Sequence, residues 1–571
     1  MTTDMAAKSF VPQGLDPSEW GQLEPLYEAL LNRTIDSADA LRRWFADLSE
    51  LEAFVDEFGS RRYIEHSAHT DDEEIERKYL HWVQQIEPKL RPIWSKLQRR
   101  FISHPDRGRI RGEGIGLMAK KWQCDVDLFR DENVPLLTRV TETAAEYSKV
   151  CGAMMVEFRG ETYTLQQLAR FLEETDCVTR REAWEAAERR RAEDRTTIGA
   201  QFDRLLDLRS QIAANADCES YRAYAWRSKK RFDYGPDDCA AFADAVEATC
   251  LPLVERLDEQ RGRDLELARI RPWDLAVDPR RRPPLRPFAG DEMETFYDKT
   301  WQIFARIDGE LAEQFASLAE HGNLDLDSRK GKQPGGYQCA LERSRQPFIF
   351  MNAAGLQHDV ETLLHEGGHA FHYLAASVEP IVYLRHAPLE FCEVASMSME
   401  LLAAEHLEVF YNEADAARAR RAHMEGIVRL MPWVATIDAF QHWLYTNEGH
   451  DEEQRTEAWL GLRRRFASRH VNFDGYEEAQ AYMWQRQGHL FGSPFYYIEY
   501  GIGQIGALQV WRHARRDPGR ALADLRKAFA LGGKRSLPEL FEVAGIQFDF
   551  SCNTVEPLMR EVADELERLP H

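Results

Sequence analysis

Residues 358–374 of the 571-residue chain read HDVETLLHEGGHAFHYL and contain its only His-Glu-x-x-His pattern. Residues four apart lie on one face of an α-helix, so a helix here places the imidazoles of His365 and His369 side by side. Glu366 follows the first histidine and reaches the same region. This spacing is typical of a metal site in which two histidines bind zinc and the carboxylate acts as general base on a water.

An ordinary helix with two packed histidines is the alternative interpretation of this stretch. Its apolar residues form a separate stripe, which predicts a buried helix in which paired imidazoles need polar partners. Gly367 and Gly368 each cost a helix interior about 1 kcal/mol relative to alanine. Two such costs favour a helix whose backbone is closely approached by something else.

A second buried helix is predicted over residues 389–402, where apolar residues recur at helical spacing. Glu390, Glu393 and Glu400 fall on another face of that helix, at offsets of three and seven. Carboxylates on a largely buried face need a cation or histidines opposite them. A solvated acidic stripe would include basic residues, but the sequence has no Lys or Arg between 385 and 418. This stretch is therefore the candidate source of a third metal ligand.

Residues 365–369 (HEGGH) and 393–396 (EVAS) together resemble the oligopeptidase family of zinc metallopeptidases that includes oligoendopeptidase F and thimet oligopeptidase. The likeness is closest to the oligoendopeptidase F branch and runs from about residue 195 to 560. It implies one zinc ion per chain, bound by His365, His369 and Glu393. Ligand type alone leaves manganese and cobalt open as alternatives.

Two further features carry the same resemblance. Glu400 matches a family carboxylate that supports a zinc-binding histidine from behind. Residues 335–352 resemble the family's edge strand, which runs along the substrate. Such a strand implies that a peptide is held through its backbone by β-augmentation.

Residues 489–501 (HLFGSPFYYIEYG) resemble the His/Tyr-rich loop of the family, which closes over the reacting carbonyl. The resemblance implies catalytic roles for His489, Tyr497 and Tyr500 beside the general base. Relative to the thimet branch this interval is one residue shorter, so Tyr496 is an alternative to Tyr497. The glycines that follow, between 501 and 506, predict hinges for loop closure.

The composition limits the possible function and location of the chain. A formal net charge of −23 and a pI of about 5.3 argue against a nucleic-acid partner. We find no signal-peptide pattern and no stretch of about 18 apolar residues, so no membrane partner is expected. Nine scattered cysteines without a C-x-x-C pattern predict reduced thiols in a cytoplasmic protein. Nothing in the sequence predicts the oligomeric state.

The periodicity of the sequence predicts a predominantly α-helical fold with one small sheet beside the metal-binding helix. We divide it into an N-terminal helical region, residues 1–194, and a metallopeptidase catalytic domain, residues 195–571. A small hairpin is predicted over residues 154–163, and the proline-rich residues 270–290 predict an extended connection. The resemblance implies two helical lobes around a deep substrate channel.

The predicted activity is zinc-dependent hydrolysis of internal bonds in short, unstructured peptides. One alternative is an exopeptidase, such as a carboxypeptidase or dipeptidyl carboxypeptidase, on the same helical scaffold. It would need a fixed group for a peptide terminus, which the sequence does not single out. The other alternative is a non-catalytic, zinc-stabilised peptide-binding protein, which would have no need of Glu366.

Overall fold

Helices dominate the described part of the chain, as the sequence predicts. A computed structural model describes residues 9–110, 112–290 and 292–570, which form 23 α-helices and five β-strands. None of the helices in these ranges is long and apolar enough to cross a membrane.

The first six helices form an N-terminal bundle, and the first five of them share an apolar core around Trp44 and Phe101. They are α1 Trp20–Asn32, α2 Ala38–Ala68, α3 Glu73–His81, α4 Glu87–Ile102, α5 Ile115–Leu128 and α6 Asn133–Gly152. The sequence predicts one helix from about 72 to 102, but a π-helical turn at Trp82–Ile86 separates α3 from α4. Pro88, in the first turn of α4, has no N–H for the regular pattern and so favours the break.

A hairpin follows the bundle, as predicted. Strands β1 Met155–Phe158 and β2 Glu161–Thr164 pair antiparallel, and both turn residues between them have positive φ. The short α7, Leu165–Leu168, and the 39-residue α8, Cys177–Asn215, come next. The predicted domain boundary at residue 195 lies inside α8, where nothing interrupts the helix. That boundary remains a prediction.

The middle of the chain contains five helices and the expected extended connection. The helices are α9 Tyr221–Ser228, α10 Pro236–Thr249, α11 Leu251–Asp264, α12 Met293–Ile307 and α13 Gly309–Glu320. The sequence predicts one helix over 239–261, but Pro252 begins a new helix within it. Between α11 and α12 the described residues form only a short 3₁₀ turn, Pro272–Asp274, and an isolated bridge.

A three-stranded sheet leads the chain into the candidate site. Its strands are β3 Leu324–Asp327, β4 Tyr337–Leu341 and β5 Gln346–Ala353, in the order β3-β5-β4. β3 runs parallel to β5 and β4 runs antiparallel to it, with Gln338 opposite Ile349. β4 therefore lies at the edge of the sheet, as predicted. Ser67 of α2 hydrogen bonds the hydroxyl of Tyr337 at 2.5 Å, which attaches the N-terminal bundle to this edge.

Ten further helices complete the fold. They are α14 Gln357–Ala376, α15 Leu389–Ala403, α16 Glu413–Thr446, α17 Glu452–Phe466, α18 Glu477–Ala481, α19 Gly488–Gly492, α20 Ile498–Ala514, α21 Pro518–Phe529, α22 Leu537–Val543 and α23 Cys552–Arg568. Asp359 caps α14 by accepting the backbone N–H groups of Ala354 and Leu356, each at 2.8 Å. The cap fixes the direction in which α14 leaves β5.

Glycines let α14, α15 and α20 pack at short range. A β-carbon on Gly368 of α14 would lie 2.6 Å from the α-carbon of Ser396 on α15, and one on Gly503 of α20 would overlap Glu393. The prediction of hinges at residues 501–506 is wrong, because these glycines lie in the buried interior of α20. They permit close helix packing, whereas Gly367 and Gly368 fulfil the expectation that something approaches the α14 backbone.

Candidate metal and catalytic site

The two helices α14 and α15 bring the predicted metal ligands together. His365 and His369 lie one turn apart on α14, with ring centroids separated by 4.8 Å. From α15, Glu393 places Oε2 at 3.3 Å from His365 Nε2 and 3.8 Å from His369 Nε2. The ligand atoms of the three residues all lie within 4.8 Å of one another.

The two distances from the carboxylate to the imidazoles are close to those around a tetrahedral metal ion. Zinc ligands at about 2.0–2.2 Å from the ion lie about 3.3–3.6 Å from each other in a tetrahedron. Two imidazoles and a carboxylate are also a donor set that zinc prefers. Glu393 is 1 % exposed, and a carboxylate buried to this extent requires positive charge or hydrogen-bond donors around it.

Each histidine is oriented by a hydrogen bond from its other ring nitrogen. His365 Nδ1 donates to Glu400 Oε1 at 2.6 Å, which keeps Nε2 free as a ligand. His369 bonds the backbone carbonyl of Cys392, and burial lowers its pKa to about 4. A neutral ring at physiological pH is the form that binds metal.

A further histidine contacts Glu400 on the side away from His365, and the sequence does not predict it. His423 on α16 contacts the second oxygen of Glu400 at 3.0 Å. Burial alone would raise the pKa of Glu400, but hydrogen bonds from His365 and His423 outweigh it and lower that pKa to about 2. The link between His423 and Glu400 arises from tertiary packing, so no spacing in the sequence indicates it.

Glu366 lies beside the cluster, and within the described part of the chain its carboxylate is hydrogen bonded through one oxygen only. The backbone N–H of Gln338 on β4 hydrogen bonds its carboxylate. Its Oε2 is buried without a hydrogen-bond partner among the described residues. Burial, with Glu393 and Glu400 nearby, raises the pKa of Glu366 to about 8, despite the opposing influence of His365. An unpartnered buried oxygen at this point is suited to hold a water, and it accepts a proton once the carboxyl is ionised.

A cavity of about 1300 Å³ opens above this cluster. Its floor includes the residues of the cluster, Glu366 and the exposed side of β4. Its wall comes from earlier parts of the chain, including Tyr63 of α2, Ala144 of α6 and Trp184 of α8. The candidate site therefore lies between the N-terminal bundle and the later helices.

The His/Tyr-rich segment lines the cavity through three of its four candidate residues. The rings of His489, Tyr496 and Tyr500 face it. The hydroxyl of Tyr496 donates to Glu393 Oε1 at 2.5 Å, and that of Tyr500 lies 3.0 Å from His489 Nε2. Tyr497 is absent from the lining, and its hydroxyl accepts the indole N–H of Trp433 at 3.0 Å. The ring of Tyr497 packs against those of His489 and Tyr500, with centroids 5.3 and 5.2 Å away, but its hydroxyl faces Trp433 and not the cavity.

A second group of ligand-type side chains lies outside the cavity lining. Cys239 of α10 meets Asp438 and His442 of α16, and their ligand atoms lie within 4.8 Å of one another. The sequence reasoning missed this group, although the four-residue spacing of Asp438 and His442 is a recognisable signal on a helix.

A helical scaffold with a His/His/Glu cluster and a free carboxylate at the floor of a deep cavity has the arrangement of metallopeptidases with the His-Glu-x-x-His pattern. The chain matches the family described as Peptidase family M3 over residues 170–558, and the description Peptidase M3 N-terminal domain over residues 16–129. The first match covers more than half of the sequence, so the chain belongs to peptidase family M3.

Individual relatives agree with this family and with the predicted oligoendopeptidase F branch. The chain is 24 % identical to Oligopeptidase PepF of Bacillus subtilis (strain 168) over 333 residues, 56 % of this chain and 47 % of that protein. It superposes on PZ peptidase A, solved with an inhibitor, with a TM-score of 0.93 at 25 % identity, covering 98 % and 99 % of the two chains.

A second solved structure, provisionally described as an oligoendopeptidase F, gives a TM-score of 0.91 at 26 % identity with the same coverage. The fold is therefore shared along nearly the whole chain. In sequence, the chain spans less than half the length of the curated relatives that it matches.

Proposed function

We propose that this protein is a zinc-dependent oligoendopeptidase that hydrolyses internal bonds of short, unstructured peptides. The observation that carries the proposal is the free, buried oxygen of Glu366 next to the His365–His369–Glu393 cluster. A protein that only bound peptides would not require a buried carboxylate with an unpartnered oxygen at this position. Membership of family M3 and the names of the relatives support a peptidase.

His365, His369 and Glu393 would hold the zinc ion, which when bound acts as a Lewis acid and lowers the pKa of a water toward about 7. Glu366 takes the proton of the attacking water and delivers it to the leaving amine. Its Oε2 is free for this task because no group among the described residues hydrogen bonds it.

Tyr500 is the group we assign to the carbonyl oxygen that becomes negatively charged. Its hydroxyl faces the cavity beside His489. One donor of this kind contributes about 3–4 kcal/mol to the transition state in comparable sites. Both Tyr496 and Tyr497 pack against the Tyr500 ring. We assign Tyr496 as the second hydroxyl that faces the substrate, because it contacts Glu393, whereas the hydroxyl of Tyr497 faces Trp433.

The substrate backbone is expected to lie along β4. This strand is at the sheet edge, and it lines the cavity together with the two glycines before it, so its outer edge is open to β-augmentation. The wall contributed by residues 63–198 encloses the other side. In this proposal residues 195–571 carry the chemistry and residues 1–194 mainly shape the cavity.

The test is cleavage of internally quenched peptides of about 5–20 residues, analysed by mass spectrometry, with free and with blocked termini. We expect internal cuts in both sets, lost with a chelator and restored by zinc. Cuts that require a free terminus would support an exopeptidase instead. Peptide binding without cleavage by the zinc-loaded protein would refute the proposal.

Glu366→Gln is the matched control for the general base. It keeps the size of the side chain and leaves the three ligands in place. We expect equal zinc content by elemental analysis and a fall in kcat of about 10²–10⁴-fold. Unchanged turnover with zinc bound would remove Glu366 from the mechanism.

A further inference from the structure

Four side chains form a continuous hydrogen-bonded row that ends at the Tyr500 hydroxyl. The indole Nε1 of Trp433 lies 3.2 Å from Gln487 Oε1. Gln487 Nε2 lies 2.9 Å from His489 Nδ1, and His489 Nε2 lies 3.0 Å from the hydroxyl oxygen of Tyr500. Only the last two residues of this row were singled out by their sequence.

The chemistry of the first member sets the direction of the whole row. The indole N–H of Trp433 is shared between the Tyr497 hydroxyl at 3.0 Å and Gln487 at 3.2 Å. Because an indole N–H can only donate, it favours the amide oxygen of Gln487 on its side and disfavours the amide N–H₂ there. The amide nitrogen then faces His489 and donates to Nδ1. Burial lowers the pKa of His489 to about 4, so the ring is neutral near pH 7 and carries one proton. Because Nδ1 accepts, that proton is on Nε2.

The position of this proton decides what Tyr500 can do. With the proton on Nε2, His489 donates to the oxygen of Tyr500, and the O–H of Tyr500 remains available. Within the described residues His489 is the only hydrogen-bond partner of that hydroxyl. In the other tautomer Nε2 would accept, and the Tyr500 proton would be held by the imidazole instead of pointing into the cavity.

We propose that Gln487, oriented by Trp433, is a positioning residue that selects the Nε2–H tautomer of His489 and thereby frees the Tyr500 hydroxyl to donate to the substrate carbonyl oxygen. The inference rests on the proposed peptidase function and deepens it. Tyr500 acts on substrate, whereas Gln487 and Trp433 act through other side chains. No bond is made or broken by the row itself.

Two substitutions of Gln487 separate this role from simple packing. Gln487→Glu keeps the shape but offers His489 only acceptors, so it favours the wrong tautomer. Gln487→Met keeps the approximate volume and offers neither donor nor acceptor, so both tautomers compete. At pH 9 we expect kcat to fall most in Q487E, toward the 10²–10³-fold typical of one lost oxyanion donor, and less in Q487M. KM should change little in either variant.

If Gln487 only fills space, kcat should fall less in Q487E than in Q487M, because Glu is the closer match to Gln in shape. The finding that Q487E is as active as Q487M, or more active, would overturn the inference. Gln22→Glu adds the same charge at an exposed position of α1, outside the cavity lining, keeps an oxygen for the N–H of Asp16, and should stay near the wild-type rate. Thermal unfolding of every variant checks that each one folds.

The pH profile gives a second readout. The charged groups that face His489 are Glu393, which raises its pKa, and Lys229, which lowers it. A carboxylate at 487 adds a further raising influence. Below the new pKa the ring carries both protons, donates through Nε2 and leaves Tyr500 free. Above it the wrong tautomer prevails, so the kcat of Q487E relative to wild type should fall as pH rises from 6 to 9.

The Tyr500→Phe background shows whether the effect passes through Tyr500. If it does, adding Q487E to Y500F should lower kcat by less than about a further twofold, because the Tyr500 donor is already absent. A full additional loss in the double variant would contradict the inference. All of these outcomes require an active wild-type enzyme. A wild-type protein that binds zinc but cleaves no peptide would refute the proposed function, and with it the inference about Gln487.

Discussion

Tyr497 and Tyr500 lie three residues apart in sequence, but their hydroxyls have different partners. Tyr500 faces the cavity beside His489, and Tyr497 accepts the indole N–H of Trp433. The sequence could place His365, His369 and Glu393 on two helices from spacing and resemblance. It could not distinguish Tyr496 from Tyr497, because a shift of one residue turns a helical side chain by about 100°.

Tyr500→Phe should lower kcat about 10²–10³-fold and leave KM nearly unchanged, because the lost hydrogen bond forms mainly in the transition state. Steady-state kinetics on one quenched peptide measures both constants. Tyr497→Phe is the matched control and should stay within about threefold of wild type, since its partner is Trp433. Equal losses in the two variants would return Tyr497 to the catalytic group.

At the scale of elements, α14, α15 and α20 hold the site through contacts that only glycine permits. Helical periodicity predicts the first two helices, and α14 Gln357–Ala376 contains the predicted motif near its centre. The sequence alone predicts hinges at the glycines of α20, because close packing between helices depends on the partner element. Without Val394 and Glu393 opposite them, nothing in residues 501–506 distinguishes a flexible segment from a packed one.

Gly503→Ala tests this packing. The new β-carbon would overlap Glu393, so we expect a loss of about 1–3 kcal/mol in the free energy of unfolding and weaker zinc binding. Gly426→Ala in α16 is the control, because its β-carbon would meet nothing within 4 Å. That change should stabilise by about 0.5–1 kcal/mol. Urea unfolding and zinc titration measure both effects, and equal stability of the two variants would contradict the packing argument.

A buried carboxylate on α2 provides a prediction about pH. Glu52 is 1 % exposed, and burial, with Asp56 nearby, raises its pKa despite hydrogen bonds from Tyr27 and Trp94. An acid whose pKa is higher in the folded chain contributes full stability only below its unfolded pKa of about 4.3. That stability is lost as pH rises, because the folded chain resists the ionisation that the unfolded chain undergoes freely.

Glu52→Gln cannot ionise and still offers an oxygen to the Tyr27 hydroxyl, which is 2.7 Å from Glu52. The melting temperature of the variant relative to wild type should therefore be higher at pH 8 than at pH 5. Thermal unfolding at the two pH values measures the difference. An identical difference at both would show that Glu52 is ionised to the same degree in the folded and unfolded chains.

At the scale of the whole molecule, the cavity lies between two parts of the chain that are attached to each other. Ser67 of α2 bonds Tyr337 of β4, and the backbone N–H of Gln333 donates to the carbonyl of Ser67 at 2.7 Å. The sequence predicted helical content for the first 194 residues but not how they attach. Contacts between residues about 270 positions apart leave no local pattern in the sequence.

Enclosure of the site predicts selection by substrate size. A flexible peptide cut by the enzyme should resist cleavage when the same residues form part of a stably folded host protein, because the host cannot enter a cavity of about 1300 Å³. Mass spectrometry of both digests measures this, and unfolding the host should restore cleavage of that segment. Equal cleavage of the folded host would require a site far more open than this one.

The wall and the floor of the cavity come from separate stretches of sequence, residues 63–198 and residues 333–500. Mutations that reshape the wall therefore leave the residues that perform the chemistry unchanged. Selection could in this way produce new peptide preferences within the family without rebuilding the reaction centre. The same separation is useful in protein engineering. Mutant libraries restricted to the wall would change which peptides are accepted and leave the residues that break the peptide bond unchanged.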